Sequence, residues 1–204
     1  MFINTENIMR KTLFALAATT LFLISCCHPT LVNTYLLTDF QKELVPYTLN
    51  DNLSFVNSEE TAFSIKVTEV TTTKETLSQG VESCYYDEYE EKTAKLSSAY
   101  PDLDIEITTS AFHPEYYNDT LSLLIRMNYK SFRPQCTFDI PEYNFQDTVI
   151  GGQEFNNVLI LHNCTDSENL ADTTAIYFHS IVYSAANGIE LITFNNGDYY
   201  ELKK

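Results

Sequence analysis

Beyond residue 50 the chain alternates apolar and polar positions with a period of two. The alternation is clearest in Phe63/Ile65/Val67, in Leu103/Ile105/Ile107 and in Leu121/Leu123/Ile125/Met127/Tyr129. The intervening positions, Ser64/Lys66/Thr68 and Asp102/Asp104/Glu106 among them, are polar, so each run reads as an antiparallel strand with one wet and one buried face. Val158 to His162 and Ala175 to Tyr183 are apolar on both faces, the pattern of central strands covered on two sides. Asn187-Gly188 and Asn196-Gly197 fall between apolar runs, and because both residue types tolerate positive φ they predict hairpins and a three-stranded meander over 175–203. Further strands are expected near residues 53, 84, 93, 136 and 158, and prolines 46, 101, 114, 134 and 141 sit at junctions between runs. One short helix is expected near the start. Thr38 can cap it, Gln41 stands at the capping-box position, and Leu37, Phe40 and Leu44 share a face. The expected fold is therefore mainly β: an antiparallel sheet of roughly ten strands curled into a half-barrel, a sandwich or a barrel, with one short N-terminal helix.

The first 25 residues follow a different plan. Arg10 and Lys11 precede Thr12 to Ile24, a run that is apolar apart from three threonines, and about 13 residues is too short to cross a ~30 Å bilayer as a helix. This is the layout of a secretory signal peptide, and Met9 is an alternative start. The run ends in Leu23-Ile24-Ser25-Cys26, which resembles the bacterial lipobox. That resemblance implies diacylation of the Cys26 thiol and cleavage before it, so that 1–25 is a lipoprotein signal peptide, 26–33 a lipidated tether and 34–204 a single β-rich domain. Two or three acyl chains hold a protein firmly, since each buried CH₂ supplies ~0.8 kcal/mol.

Composition sharpens this picture. The 204 residues carry 12 Lys+Arg against 28 Asp+Glu, a net charge of −16, and the chain from Cys26 onwards is slightly more acidic because Arg10, Lys11 and Glu6 are removed. No cluster of basic residues exists to displace counterions from phosphates, which argues against nucleic acid as a partner. An anionic body on an anionic membrane is held off the surface by its tether. The absence of an acidic run after Cys26 favours the periplasmic face of the outer membrane over the cell surface.

Candidate chemistry is sparse. In an exported chain cysteines invite disulfides, and with Cys27 in the tether the expected bridge is one pair among Cys84, Cys136 and Cys164. No C-x-x-C, zincin helix, nucleophile elbow or phosphate-cradling loop occurs, so neither a metal nor a cofactor is expected. His162 and Cys164 share a strand face without a third orienting group nearby, while His113 and His179 are isolated. Tyr85-Tyr86-Asp87-Glu88-Tyr89-Glu90-Glu91 reads as a solvated edge strand whose charges block further pairing, and Asp102/Asp104/Glu106 reads the same way. There is no Trp to form a sugar platform, but 14 tyrosines can replace it.

Three short stretches, Pro46 to Phe55, Gly152 to Val158 and Ile181 to Phe194, resemble small uncharacterised lipoproteins of the Bacteroidetes group. Asp119-Thr120-Leu121, Asp147-Thr148-Val149 and Asp172-Thr173-Thr174 are similar to O-glycosylation sites of exported proteins from that group, which implies modification at Thr120, Thr148 and Thr173. The resulting expectation is a lipid-anchored envelope protein that is a non-enzymatic binding or structural module, with an envelope protein as its partner. The alternatives are a carrier of an apolar ligand, with a cavity between the sheet and residues 36–44, and an envelope hydrolase using Asp87 and Glu88.

Overall fold

The computed structural model describes residues 28–80, 83–111, 122–129, 132–139, 144–162, 176 and 178–203, with backbone alone for 122, 128, 129 and 132–139. Its elements are β1 (Thr30–Tyr35), α1 (Asp39–Glu43), β2 (Asn52–Asn57), β3 (Ala62–Ser78), β4 (Tyr85–Ala99), β5 (Asp102–Ser110), β6 (Ser122–Tyr129), β7 (Phe132–Asp139), β8 (Gln146–Ile150), β9 (Gln153–His162), β10 (Phe178–Ser184), β11 (Gly188–Phe194) and β12 (Tyr199–Leu202). Eleven strands make one antiparallel sheet in the order β7-β6-β5-β4-β3-β2-β12-β11-β10-β9-β8, and β1 adds to β4 in parallel. Two meanders, β2–β7 and β8–β12, are thus sewn together where β12 pairs with β2, with Leu202 opposite Phe55. The sheet is mainly antiparallel as expected, and it remains open rather than closing into a barrel.

An open sheet of this width curls, and its inward faces meet. Val67, Leu96, Ile105, Ile107, Ile125 and Met127 from the first meander join Leu161, Ile181 and Ile192 from the second in a single core cluster. Each such side chain contributes roughly 1.5–3 kcal/mol on burial. The expected C-terminal meander is present as β10–β11–β12, turning at Ala185–Asn187 and after Asn195, with Gly188 and Gly197 at positive φ.

The chain between β1 and β2 is not a strand, and it fills the concave side. Thr38 caps α1: its Oγ accepts the Gln41 N–H, and the Gln41 side-chain oxygen accepts the Thr38 N–H. Leu37, Leu44, Val45 and Tyr47 are buried. Burying irregular backbone requires partners for its polar groups. The Tyr183 hydroxyl donates to the Leu44 carbonyl, Lys92 Nζ donates to the carbonyls of Lys42 and Val45 at 2.8 Å each, and Gln41 Nε2 donates to the Ser110 carbonyl. Lys92 lies where a cation suits the C-terminal end of a helix. Burial lowers its pKa, and Lys42 lowers it further.

Tyr47 locks this segment to the β10–β11 hairpin by accepting the Ile189 N–H at 2.9 Å. A Cβ on Gly188, whose φ is +73°, would come within 1.9 Å of the Tyr47 hydroxyl oxygen. Gly188→Ala therefore combines a left-handed backbone with a clash against a buried ring, and an unfolding titration should show a loss of about 3 kcal/mol or more.

Tyr47→Phe removes the acceptor of a buried N–H and should cost about 1–3 kcal/mol at neutral pH. Burial raises the phenol's pKa well above its usual value, although the Ile189 bond opposes this. A raised folded pKa contributes stability that is complete below pH ~10 and is lost as pH climbs toward the folded value. Between pH 10 and 11.5 the variant should consequently lose stability less steeply than the parent, as read by denaturant midpoints at each pH.

Candidate functional site

β3 and β4 run past their neighbours. β2 accompanies β3 only as far as Lys66 and β5 accompanies β4 only from Glu91, whereas β3 and β4 continue together to Ser78 opposite Tyr86. β1 lies along this two-stranded finger, with Thr30 opposite Tyr85 and Tyr35 opposite Tyr89. The N-terminal chain thus arrives at the finger tip, where the Thr30 N–H donates to the Cys84 carbonyl at 2.7 Å.

The acidic stretch 85–91 behaves differently from the expected solvated edge. β4 is an interior strand, and two of its carboxylates hold the arriving segment. Buried Asp87 accepts the Asn33 N–H and Nδ2 at 3.0 Å each, together with Gln79 Nε2, while Glu90 accepts the Leu37 N–H at 2.9 Å. Carboxylates are acceptors only, so a strand that brings unpaired N–H groups satisfies them better than water-exposed edges require. Asp87 and Glu88 project to opposite faces, and Glu88 pairs with Lys74 at 3.5 Å. They do not share a cleft as an acid/base pair would.

Asp102, Asp104 and Glu106 likewise lie on an interior strand, since β5 has β4 and β6 on its two sides. On the outer face Glu69, Lys95, Glu106 and Arg126 stand in one cross-strand row, with Lys95–Glu69 at 3.0 Å and Arg126–Glu106 at 2.6 Å. Shallow grooves of about 540 and 380 Å³ flank this row, the second floored by Thr71, Thr73, Thr93, Thr108 and Tyr89. Burial raises the Tyr89 pKa, and the charges of Glu91 and Glu75 add to the rise.

The end of the body opposite the finger holds a more enclosed feature. Phe63, Tyr100, Pro101 and Tyr200, with Asn57, Thr61 and Asp102, line a crevice of about 270 Å³. Its floor is stiff: Tyr200 meets Phe63 and Phe194 edge to face at 4.9 and 4.8 Å, and Phe63 stacks on Phe55. Its wall is Tyr100, which is 78% exposed. Along β4 the crevice and the finger tip are about 45 Å apart at ~3.3 Å per residue. The crevice was invisible to periodicity, because Tyr100 and Pro101 belong to a turn and meet Tyr200 only through the fold.

The remaining sequence candidates are scattered. Cys84 is disulfide-bonded, and it is the one cysteine whose side chain is described. Cys26, Cys164, Thr120, Thr173 and His113 lie outside the described residues. Thr148 is half-buried in β8 opposite Phe155, His162 is exposed at the end of β9, and His179, expected within an apolar strand, is exposed too. Leu44, Val45 and Tyr47 occupy the space between α1 and the sheet where a carrier's cavity was sought. Among the described residues no group of three or more His, Cys, Asp or Glu is placed to hold a metal, and no helix is long and apolar enough to cross a membrane. Comparison of the chain with models of protein families, with curated proteins and with solved structures returns no match.

The charge row is half exposed and should contribute little to stability. A double-mutant cycle on Glu106→Gln and Arg126→Gln is expected to give a coupling of about 0.2–1 kcal/mol that shrinks in 1 M salt. A salt-insensitive coupling above ~2 kcal/mol would show that the pair is desolvated.

Proposed function

We propose that the protein is a lipid-anchored component of a bacterial cell envelope, facing the periplasm, that binds a neutral or amino saccharide in the crevice around Tyr100. The observation that carries this reading is the separation of the two ends of β4. The chain that follows Cys26 reaches the fold at Tyr85, and the aromatic crevice lies past Ala99 at the opposite end. An anchor at one end and a binding site at the other is the arrangement a tethered receptor needs.

The chemistry of the crevice supports a sugar. Phe63, Tyr200 and Tyr100 offer flat apolar faces that match the C–H face of a pyranose, while Asn57, Thr61 and Asp102 supply polar atoms at the rim. A few polar groups around an apolar floor is the usual composition of a small-ligand site, and the volume suits one ring rather than a long chain. The strong negative charge of the protein disfavours acidic sugars.

Two measurements test the reading separately. In an exporting bacterial host, Cys26→Ser should lose incorporation of labelled fatty acid and move from the membrane to the soluble envelope fraction; unchanged labelling would end the anchor proposal. Titration of the soluble body with a panel of mono- to hexasaccharides should reveal a ligand whose affinity falls at least tenfold in Tyr100→Ala, a variant expected to fold normally because Tyr100 is exposed. Binding that ignores Tyr100, or no binding across the panel, would remove the crevice from consideration.

A further inference from the structure

We propose that Cys84 is joined to Cys27, so that a disulfide clips the N-terminal chain to the tip of the finger immediately beside the lipidated residue. Cys84 is disulfide-bonded. The bond requires Cα atoms within ~7 Å, and the register of the sheet decides which cysteines meet that condition.

Cys136 lies opposite Met127, Met127 opposite Ile105, and Ile105 opposite Leu96. Cys136 is therefore level with Leu96, three strands from β4, whereas Cys84 lies twelve positions further up β4, about 40 Å away along the strand. Cys164 follows His162 by two residues, which limits it to within about 7 Å of the end of β9. That end adjoins Leu161, a member of the core cluster that β4 joins through Ala94 and Leu96. Cys84 stands ten positions beyond Ala94, about 33 Å up the finger.

The N-terminal cysteines are close enough along the chain to satisfy it. Thr30 is hydrogen-bonded to the Cys84 carbonyl, and Cys27 precedes Thr30 by three residues, within ~10 Å of chain. Choosing Cys27 over Cys26 rests on the lipid-anchor reading, in which the Cys26 sulfur is consumed as a thioether. The two thiols each give up a proton and together two electrons. A disulfide of an exported thiol–disulfide oxidoreductase accepts both and leaves as a dithiol.

The clip removes the slack of the tether. It would hold the acyl chains one residue from a finger tip that presents Leu31, Val32, Leu77 and Tyr85, which are 42%, 47%, 40% and 55% exposed. Residues 28–38 carry no Asp, Glu, Lys or Arg, in a chain of net charge −16. The arriving segment is thus an uncharged stretch of an acidic protein, laid along a finger that itself carries Glu75, Asp87 and Glu88.

The test is peptide mapping of the full chain exported in a bacterial host, with free thiols alkylated at lysis and digestion by trypsin without reduction. The expected product is Cys26–Lys42, carrying its lipid, joined to Glu75–Lys92 through Cys27 and separating on reduction. A bond located on Cys26 would overturn both this proposal and the lipid anchor. Linkage of Cys84 to Cys136 or Cys164, or alkylation of Cys84 in the parent chain, would overturn the clip and leave the anchor standing. In Cys27→Ser the linked peptide should vanish and Cys84 should become alkylated, while Cys164→Ser should leave the link intact.

Discussion

The fold depends on burying a stretch of chain that is neither strand nor long helix. An open, curled sheet exposes aliphatic side chains on its concave face, and residues 37–47 are what cover them. That solution is costly unless every buried amide and carbonyl finds a partner. The partners come from across the molecule: Tyr183 from β10 and Lys92 from β4 bind its backbone carbonyls, while its Gln41 and Tyr47 side chains bind the Ser110 carbonyl of β5 and the Ile189 amide of β11. Each bond ties the plug to a different part of the sheet. The plug therefore orients the two meanders with respect to each other, and the fit of Tyr47 over Gly188 is its tightest point.

The finger is held by another use of polar groups. Among the described residues β3 beyond Val70 has no second neighbour, and a two-stranded ribbon is marginal on its own. β1 adds a third strand over the terminal half; Asp87 fastens its backbone at Asn33 and Glu90 the chain just past it at Leu37. Negative charge that would repel an acidic partner here serves as a row of acceptors for amides, whose charge-assisted bonds are stronger than neutral ones.

Much of the sheet was legible in the chain. Alternation in Phe63–Val67, Leu103–Ile107 and Leu123–Met127 marked strands whose inward residues are indeed the core, and the two Asn-Gly pairs marked the final hairpins because both residues tolerate positive φ, which Gly188 and Gly197 adopt. The Thr38–Gln41 box marked the start of α1, since capping is a local transaction. Long-range pairing was not legible. Residues 30–33 read as tether because nothing within Thr30–Tyr35 shows that a strand fifty residues later offers an edge and two carboxylates. For the same reason strands expected near 84 and 93 are one strand, and the residues judged to be charged edges are interior. The crevice escaped notice because Phe63, Tyr100 and Tyr200 come from separate elements that only the long-range pairing of β12 with β2 brings together.

The parallel course of β1 along β4 sets how the molecule bears load. Tension on the N-terminus of a chain whose Cys27–Cys84 link is reduced would draw β1 along its own axis, against a β4 rooted in the body. All the hydrogen bonds of the ladder, and the two carboxylate clamps, would then be strained together in shear. An antiparallel first strand at the same site would have its N-terminus at the body end and would be peeled from there one bond at a time, like a zipper. The direction in which the first strand joins the sheet thus sets the N-terminal attachment to resist a pull in shear.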